Sequence, residues 1–593
     1  MALLTFRTMG KWRRFWVMLL LGAIAFSGIL SGCRSLFVSQ AAQVPQLVLS
    51  ILSDPKTFNA VLSAESPNIF GLTYDGLVRE NPITGEIEPV LAESWDYSDD
   101  QLSLTFTLKE NLKWSDGEPL TVDDVVFTYN QLYLNEDIPS NARDSLRVGQ
   151  DQVLPEVEKV DERRVRFSVV EPFAPFLANT GLPILPAHAL RESVEQKDSS
   201  GRPLFMSKWG IDTPPEEIVF NGPYVLKNYT TSQRVIFEKN PFYWDTKPTG
   251  EQKPFIERVV WQIVESTDTS FLQFRSGSLD SISVAPDFYS LLKREEERGK
   301  FTIYNGGPAY GTSFITFNLN QGSRNGRPLV DPIRSRWFNN VKFRQAVAYG
   351  IDRQRMINNL YRGLGRKQNS PISIQSPFHD DSLIGYDYNP ERAKELLLEA
   401  GFQYNEAGQL LDDQGNLVRW SLITNAGNKI REAMASQIKQ DLEQLGMQID
   451  YAPLAFNVLV DRLSNSLQWE CCLLGLTGGN EPNDGANVWF PEGNLHMFNQ
   501  KPQAGREPIE GWQVADWENR IADLYIAGAR ELDFDRRKAI YVESQQITNE
   551  YLPFIYLVNP LSLSAVRDRI QGIEFSALGG AFWDLPNLTI ASE

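Results

Sequence analysis

Histidine, serine and glycine patterns are the first places to look for chemistry in this chain of 593 residues. The three histidines, His188, His379 and His496, lie far apart, and their spacing is not typical of a metal site. The sequence contains no G-x-S-x-G nucleophile elbow, no G-x-x-x-x-G-K phosphate loop and no H-E-x-x-H motif. We therefore predict a binding protein rather than an enzyme, with no metal and no cofactor.

An acidic segment at residues 412–415, which reads Asp-Asp-Gln-Gly, superficially resembles the start of a calcium loop. A calcium loop of this kind alternates oxygen ligands along the chain and closes with a glutamate, and this segment does neither. Asp and Gly are also residues that favour tight turns. We therefore predict a hairpin turn here.

One of the three cysteines, Cys33, lies near the N-terminus of the sequence. A basic cluster at residues 11–14 precedes an apolar stretch at residues 15–30, which is shorter than the roughly 20 residues of a membrane span. This order is typical of a secretion signal. The sequence Leu-Ser-Gly directly before Cys33 resembles the bacterial lipobox. That resemblance implies cleavage after residue 32 and attachment of diacylglycerol to the Cys33 thiol, with residues 33–44 as a tether.

The other two cysteines, Cys471 and Cys472, are neighbours in the chain. A disulfide between adjacent cysteines is strained, and free cysteine is among the residue types most often buried. We therefore predict that both are buried thiols and that the protein folds without a disulfide framework.

The net charge of the chain excludes some classes of binding partner. The whole chain has a formal net charge of −18, from 57 basic and 75 acidic residues. Loss of residues 1–32, which hold four basic and no acidic residues, would leave 53 against 75, a net charge of −22. Nucleic acids and anionic lipid surfaces both require a basic face. We expect no nucleic-acid partner, and membrane contact only through the lipid on Cys33.

Predicted strands and helices alternate along the chain, and these elements must position any functional site. The clearest strands are a strictly alternating one at 102–108 and another at 448–451. The clearest helices are one opened by a capping box of Thr121 and Asp124, one from Asn389-Pro390 to a stop at Gly401, and one with an apolar face from Ile430 to Leu445. Alternation of this kind predicts α/β lobes with largely covered sheets.

Eight segments, in order along the chain, resemble the signatures of the oligopeptide, dipeptide and nickel class of solute-binding proteins of ABC importers, known as family 5. The most specific reads KWSDGEPLTVDDV and covers residues 113–125. The others are at 77–85, 89–95, 221–224, 239–244, 343–353, 389–390 and 551–553. One such match would be weak, but eight in order are specific to the family.

The family resemblance implies a two-lobe, periplasmic-binding-protein-like α/β fold (class II, cluster C) with an extra domain inserted in the N-terminal lobe. By analogy, lobe I comprises residues 45–88, 218–305 and 558–593, the inserted domain residues 89–217, and lobe II residues 306–557. The chain would cross between the lobes near residues 304–314 and 552–559. The ligand would lie in the cleft between the lobes.

The resemblance also supplies candidate ligand-binding residues by family position. Two are the crossing tyrosines Tyr310 and Tyr556, and a third is Ser283 at a strand end that faces the cleft. The main contact loop would contribute Gly475, Thr477, Gly478, Gly479, Asn480 and Glu481, with Asn494 and His496 just beyond it.

This loop departs from the family pattern at one position. Many peptide binders of the family carry an aspartate there that pairs with the α-ammonium of the peptide, but this chain has Gly479. A buried ammonium without a carboxylate would be costly. Either Glu481 or Asp484 substitutes, or the ligand has no free α-amino group at this point.

The sequence therefore predicts a lipid-anchored, extracytoplasmic or periplasmic binding protein that works as a monomer. It would trap a small molecule, with a peptide as first expectation, and deliver it to the permease of an ABC importer. An oligosaccharide or another non-peptide solute is the main alternative, and a nickel chelate is less favoured. A role as a surface sensor and a hydrolase activity are the alternatives from other classes.

Overall fold

The computed structural model describes residues 45–63, 67–140, 142–246, 250–501 and 507–591. The predicted signal sequence, Cys33 and the tether lie outside these residues. The strands, in chain order, are β1 (Gln46–Ile51), β2 (Val78–Glu80), β3 (Ile87–Pro89), β4 (Ala92–Tyr97), β5 (Ser103–Leu108), β6 (Glu156–Lys159), β7 (Arg164–Ser168), β8 (Tyr224–Thr230), β9 (Arg234–Lys239), β10 (Arg258–Ile263), β11 (Ser281–Ser283), β12 (Phe301–Pro308), β13 (Phe314–Phe317), β14 (Ser323–Arg324), β15 (Arg327–Pro328), β16 (Gly365–Lys367), β17 (Gln403–Tyr404), β18 (Leu410–Leu411), β19 (Arg419–Asn425), β20 (Gln448–Leu454), β21 (Cys471–Leu474), β22 (Phe554–Tyr556), β23 (Val558–Arg567), β24 (Ile570–Gln571) and β25 (Thr589–Ile590).

The α-helices concentrate in the second half of the chain. In chain order they are α1 (Phe70–Thr73), α2 (Val122–Phe127), α3 (Ala142–Ser145), α4 (Phe176–Asn179), α5 (Ala187–Glu195), α6 (Thr267–Arg275), α7 (Pro286–Gly299), α8 (Pro332–Asn339), α9 (Val341–Gly350), α10 (Arg353–Leu360), α11 (Pro390–Glu399), α12 (Lys429–Glu443), α13 (Phe456–Asp461), α14 (Ala486–Trp489), α15 (Asp516–Arg530) and α16 (Phe534–Tyr551). None of the described helices is both long and apolar enough to cross a membrane.

Two sheets form the body that we call lobe I. One has the strand order β1-β10-β9-β8, with β1 parallel to β10, and the other has the antiparallel order β11-β23-β12. Asp280 joins them, because one carboxylate oxygen accepts from the Val48 backbone at 2.7 Å while the other accepts from Arg569 at 2.6 Å. The first strand and the C-terminal segment therefore belong to one body.

A separate antiparallel sheet, β4-β5-β7-β6, occupies the position of the predicted insertion. Strand β5 alternates between half-buried and buried residues, which confirms the strand predicted at residues 102–108. The capping box of Thr121 and Asp124 is also confirmed, at the start of α2. The apolar side chains of this sheet pack into one continuous core with those of lobe I.

The body that we call lobe II surrounds the mixed sheet β20-β19-β21-β13-β22, in which β19 is parallel to both β20 and β21. Its two predicted helices are confirmed as α11 and α12, and each begins at an asparagine whose side chain accepts a backbone N–H. Cys471 and Cys472 are free thiols buried in β21. The segment at 412–415 is a turn in which the Asp412 carboxylate accepts backbone N–H groups, as predicted.

Two stretches of chain cross between the lobes. In the first, β12 pairs with β23 in lobe I and β13 joins the sheet of lobe II, so the crossing lies between Pro308 and Phe314. In the second, β22 pairs with β13 and β23 begins two residues later, after Leu557. The two crossings run side by side, and the loop after β21 lies next to them.

Candidate functional site

A cavity of about 250 Å³ lies where the crossings meet lobe II. Its wall combines aromatic rings with a run of small and acidic residues from the loop after β21. The lining residues are Tyr310, Thr312, Phe314, Pro371, Ile372, Ser373, Leu476, Thr477, Gly478, Gly479, Glu481, Pro482, Asp484, Gly485, Val488, Trp489, Tyr525, Phe554 and Tyr556. Such a wall can pack against apolar groups and bind polar ones at a few fixed points.

The two crossing tyrosines meet at this cavity, as the sequence predicted for their positions. Tyr556 is buried on β22, and burial holds the pKa of its phenol well above the ordinary value. Tyr310 is half-buried, and burial together with the nearby Glu80 carboxylate raises its pKa as well. Both phenols therefore remain protonated at neutral pH and can donate a hydrogen bond to a ligand.

The loop after β21 lies so close to the first crossing that two of its positions must be glycine. A Cβ on Gly475 would lie 2.4 Å from the Thr312 carbonyl oxygen, and one on Gly478 would lie 2.2 Å from that of Tyr310. The Thr312 N–H donates to the Leu476 carbonyl at 2.8 Å and fixes this approach. Gly478 lines the cavity, whereas Gly475 serves the packing behind it.

The Asp484 carboxylate lies next to Gly479, the position at which the family pattern has an acid. A Cβ on Gly479 would lie only 3.3 Å from a carboxylate oxygen of Asp484. Asp484 lines the cavity and is exposed to solvent. Partial desolvation by the surrounding protein, with Glu481 and Glu80 nearby, raises the pKa of its carboxyl to about 7, despite the opposing effect of Arg537. No group within the described ranges donates a hydrogen bond to it.

Glu481, the other candidate substitute, is already paired. One of its carboxylate oxygens accepts from Arg537 at 2.5 Å and from the Asn483 backbone at 2.9 Å. Arg537 is itself held by the Gly528 carbonyl, to which its Nε donates at 2.8 Å. Glu481 is therefore held within the loop, whereas Asp484 faces the cavity.

Glu80, at the end of β2 in lobe I, is a site residue that sequence reasoning missed. Its carboxylate accepts from the Asn480 side chain at 2.6 Å, which brings the two lobes together beside the cavity. The partners are 400 residues apart. Its position inside the family-like segment at residues 77–85 was the available signal.

Two further contacts join lobe II to the inserted sheet region. Arg530 of lobe II pairs with Glu171 of the inserted sheet region at 2.5 Å, and the Ala174 N–H donates to the Ala529 carbonyl at 2.7 Å. We call these contacts, together with the Asn480–Glu80 hydrogen bond, the seam. The structure therefore shows the two lobes in contact along the seam.

Ser283 lies away from this cavity. It ends β11 and lines a second cavity of about 480 Å³ in lobe I, formed by hydroxyl groups and four phenylalanine rings. Its residues include Ser50, Thr267, Ser270, Phe271, Ser281, Ser283, Phe288, Ser562, Ser564, Phe575 and Phe582. This cavity has no charged lining residue, in contrast to the first.

Asn494 and His496 line neither cavity. Asn494 is on the surface. His496 is fully buried between the Val488 carbonyl, 2.9 Å from Nδ1, and the Glu518 carboxylate, 3.0 Å from Nε2. Each ring nitrogen therefore has a hydrogen-bond partner inside the protein. It supports α14, whose Val488 and Trp489 form part of the cavity wall, and it does not reach the ligand space itself.

Comparison with known proteins places this geometry in a family. The model for bacterial extracellular solute-binding proteins, family 5 Middle, matches residues 86–494. The probable ABC transporter-binding protein of Deinococcus radiodurans is 31% identical over 547 residues, which cover 88% of each chain.

Solved structures share the fold. The oligopeptide-binding protein AppA from Bacillus subtilis, in complex with a nonapeptide, matches with a TM-score of 0.73 and 21% identity, over 92% of this chain and 99% of that chain. The periplasmic binding protein MelB from Agrobacterium fabrum, in complex with stachyose, matches with a TM-score of 0.76 and 19% identity, over 92% and 85%.

The family match extends over more than half of the chain, and the Deinococcus protein matches over most of both chains. The solved structures confirm the two-lobe α/β fold that the sequence predicted. The chain belongs to the bacterial extracellular solute-binding proteins of family 5.

Proposed function

We propose that this protein is the extracytoplasmic receptor of an ABC importer and captures a small peptide by its free amino end. The observation that carries this proposal is the Asp484 carboxylate, which faces the cavity without a partner in the described structure while Glu481 is held by Arg537. A protonated amine is the natural partner of such a group, because charge-assisted hydrogen bonds are the stronger ones.

The rest of the wall suits a peptide. Tyr310 and Tyr556 offer phenol donors for peptide carbonyl groups, and the backbone of Thr477 and Gly478 is exposed beside them. The rings of Trp489 and Tyr525, which stack at a centroid distance of 6.0 Å, supply an apolar surface for a side chain. The cavity therefore combines the Asp484 carboxylate with phenol, backbone and aromatic groups that can contact different peptides.

The main rival ligand is a sugar. Structures of this fold hold a nonapeptide in AppA and stachyose in MelB, so the fold leaves the ligand open. An unpaired carboxylate beside the cavity favours a ligand that has a cationic end, which stachyose lacks.

Binding measurements on purified protein decide between these ligands. Isothermal titration calorimetry would compare the dipeptide Ala-Leu, its N-acetyl derivative and stachyose, after native mass spectrometry has identified any ligand retained from the cell. We expect Ala-Leu to bind and the N-acetyl form to bind at least about tenfold more weakly, because it cannot pair with Asp484. Binding of stachyose alone would refute the peptide proposal.

We further propose that a lipid on Cys33 holds the receptor at the membrane, where it meets its permease. In cells, a Cys33→Ser variant should move from the detergent phase to the aqueous phase of a Triton X-114 partition, whereas the neighbouring Ser35→Ala variant should stay in the detergent phase. Equal partition of the two variants would contradict lipid attachment at Cys33.

A further inference from the structure

The second cavity, in lobe I, differs in chemistry from the first and has no part in the proposed function as stated so far. Its volume is about 480 Å³, and all of its lining residues belong to lobe I. Seven of them carry hydroxyl groups, four are phenylalanines, and none of the described lining residues is charged. A cavity of about 150 Å³ with apolar walls already holds a benzene ring, so this space can accept a ring-sized part of a ligand.

Most of the hydroxyl groups of this cavity do not hold the protein together. Ser281 and Ser564 pair with each other at 3.1 Å, but the other five hydroxyls have no hydrogen-bond partner within the described ranges. Ser283 and Thr267 are among these five, and both are exposed to solvent. Because a hydroxyl can donate and accept, this wall can bind the polar atoms of a ligand without any charge.

The phenylalanine rings supply the apolar part of the wall. Phe271 on α6 and Phe288 on α7 stack with their ring centroids 3.9 Å apart. Phe575, from the C-terminal segment, lies 6.1 Å from the ring of Tyr304 on β12. A further ring gains contact energy against such a wall beyond the burial of its area. A charged side chain would instead lose water here without an opposite charge to replace it.

The β2–β3 hairpin connects the surroundings of the two cavities. Its Glu80 accepts the Asn480 side-chain N–H from the loop that lines the first cavity, at 2.6 Å. Pro82, in the turn of the same hairpin, lies against Gly579, where a Cβ would be 2.5 Å from the proline Cγ. The next residue, Gly580, lines the second cavity. A peptide held by its amino end at the first cavity can therefore extend towards the second.

We infer that the second cavity sets the side-chain preference of this receptor: it accepts an uncharged aromatic side chain, phenylalanine or tyrosine, and excludes lysine and glutamate. This inference rests on the proposed function and deepens it, because it names the class of peptide that is captured. Burial of a ring against the four phenylalanines supplies affinity, and the unused hydroxyls can bind the phenol of tyrosine. A charged side chain meets no counter-charge on this wall.

Calorimetry with two peptide series tests this preference. The series are Ala-X and Ala-Ala-X, which place X at two distances from the amino end, with X as Phe, Tyr, Lys or Glu. In at least one series we expect the Phe and Tyr peptides to bind at least about tenfold more tightly than the Lys and Glu peptides, because only the rings gain from burial in an uncharged wall.

A charge introduced into the cavity should change the preference in a stated direction. Ser283→Asp places a carboxylate on an exposed lining position, so it supplies the counter-charge that a lysine side chain lacks in the wild type. The affinity for the Lys peptide should rise at least about fivefold relative to the Phe peptide, and the Glu peptide should bind still more weakly. Ser290→Asp is the matched control, because Ser290 is exposed on α7 and does not line the cavity.

Equal affinities for the Phe, Tyr, Lys and Glu peptides, or equal responses of the two aspartate variants, would overturn the inference even if peptides bind. If no peptide binds, the proposed function fails, and saturation-transfer NMR with p-cresol and p-toluate decides on the cavity alone. The wild type should then bind the neutral ring of p-cresol and not the carboxylate p-toluate. Binding of neither compound, or of both equally, would overturn the assignment of the cavity to an uncharged ring.

Discussion

At the scale of single residues, the cavity depends on close approaches that permit no side chain. Gly478 is the clearest case, because its Cβ position lies 2.2 Å from the Tyr310 carbonyl oxygen and 2.9 Å from its carbon. We expect Gly478→Ala to push the loop away from the first crossing and to weaken binding of Ala-Leu by at least about tenfold, as misplacement of a ligand contact does. Calorimetry measures this effect.

The matched control is Gly71→Ala, at a glycine in α1 with no atom within 4 Å of its Cβ position. This variant should bind like the wild type. If both variants bound Ala-Leu equally well, the loop would be adaptable and the argument from close approach would fail.

A second residue-scale prediction concerns Asp75, which lies behind β2 and away from the cavity. Burial raises its pKa to about 6, although Trp244 donates to its carboxylate at 3.0 Å and Arg79 and Lys109 are nearby. An acid with a raised pKa favours the folded state at low pH, and that contribution is lost as the pH rises from about 4 to about 6.

Asp75→Asn should therefore raise the thermal midpoint relative to the wild type at about pH 8 and change it little at about pH 4. Differential scanning fluorimetry at the two pH values measures the difference. Asp99→Asn is a suitable control, because Asp99 is an exposed aspartate. An equal shift at both pH values would show that Asp75 is not the titrating group.

At this scale, family position predicted ligand-binding residues, and the structure places several of them at the cavity. Tyr310, Tyr556 and Gly478 were found by position, and all three line the cavity. Glu80 was missed because its partner is 400 residues away, and His496 was assigned to the ligand because burial behind a wall cannot be read from the chain order. Local patterns predict elements, whereas contacts across lobes depend on the tertiary fold.

At the scale of elements, the short helix α14 is held by a buried hydrogen-bonded pair. The ring nitrogens of His496 lie within hydrogen-bond distance of the Val488 carbonyl and of Glu518, and Glu518 also accepts from Asn499 and from the Ala515 backbone. Removal of one partner leaves buried polar groups without their hydrogen bond, which costs about 1–3 kcal/mol. We expect His496→Ala to lower the free energy of unfolding by about this amount, as measured by urea denaturation.

The protein provides its own control for this pair. His188 contacts Asp116 at 2.8 Å, a separation similar to the 3.0 Å of the buried pair, but both side chains are more than one-third exposed. Exposed pairs contribute about 0–1 kcal/mol, so His188→Ala should change stability little. Similar losses in the two variants would mean that burial does not distinguish the pairs.

The elements themselves followed from local signals. Capping residues located the starts of α2 and α11, an apolar face located α12, and strict alternation located β5. Local signals could not show that β1, β11 and β23, from the beginning, the middle and the end of the chain, form one body. That arrangement depends on Asp280, which links Val48 to Arg569, and on strand pairings far apart in sequence.

At the scale of the whole molecule, the seam determines how tightly the closed form is held, and its contacts should contribute unequally. The Asn480–Glu80 hydrogen bond lies beside the cavity and satisfies a carboxylate in a crowded, acidic site. The Arg530–Glu171 pair lies at the outer edge, where the Arg530 side chain is 45% exposed. Removal of a donor to an enclosed charge costs more than loss of an exposed ion pair.

Asn480→Ala should therefore weaken binding of Ala-Leu by about tenfold, because Glu80 would enter the closed seam without its amide donor. Arg530→Ala should change the affinity by less than about fivefold. Calorimetry gives both affinities, and scattering at saturating peptide should show that both variants still close. If Arg530→Ala weakened binding of Ala-Leu more than Asn480→Ala, the contacts at the outer edge of the seam would stabilise the closed form. The Asn480–Glu80 hydrogen bond beside the cavity would then not account for the free energy of closure.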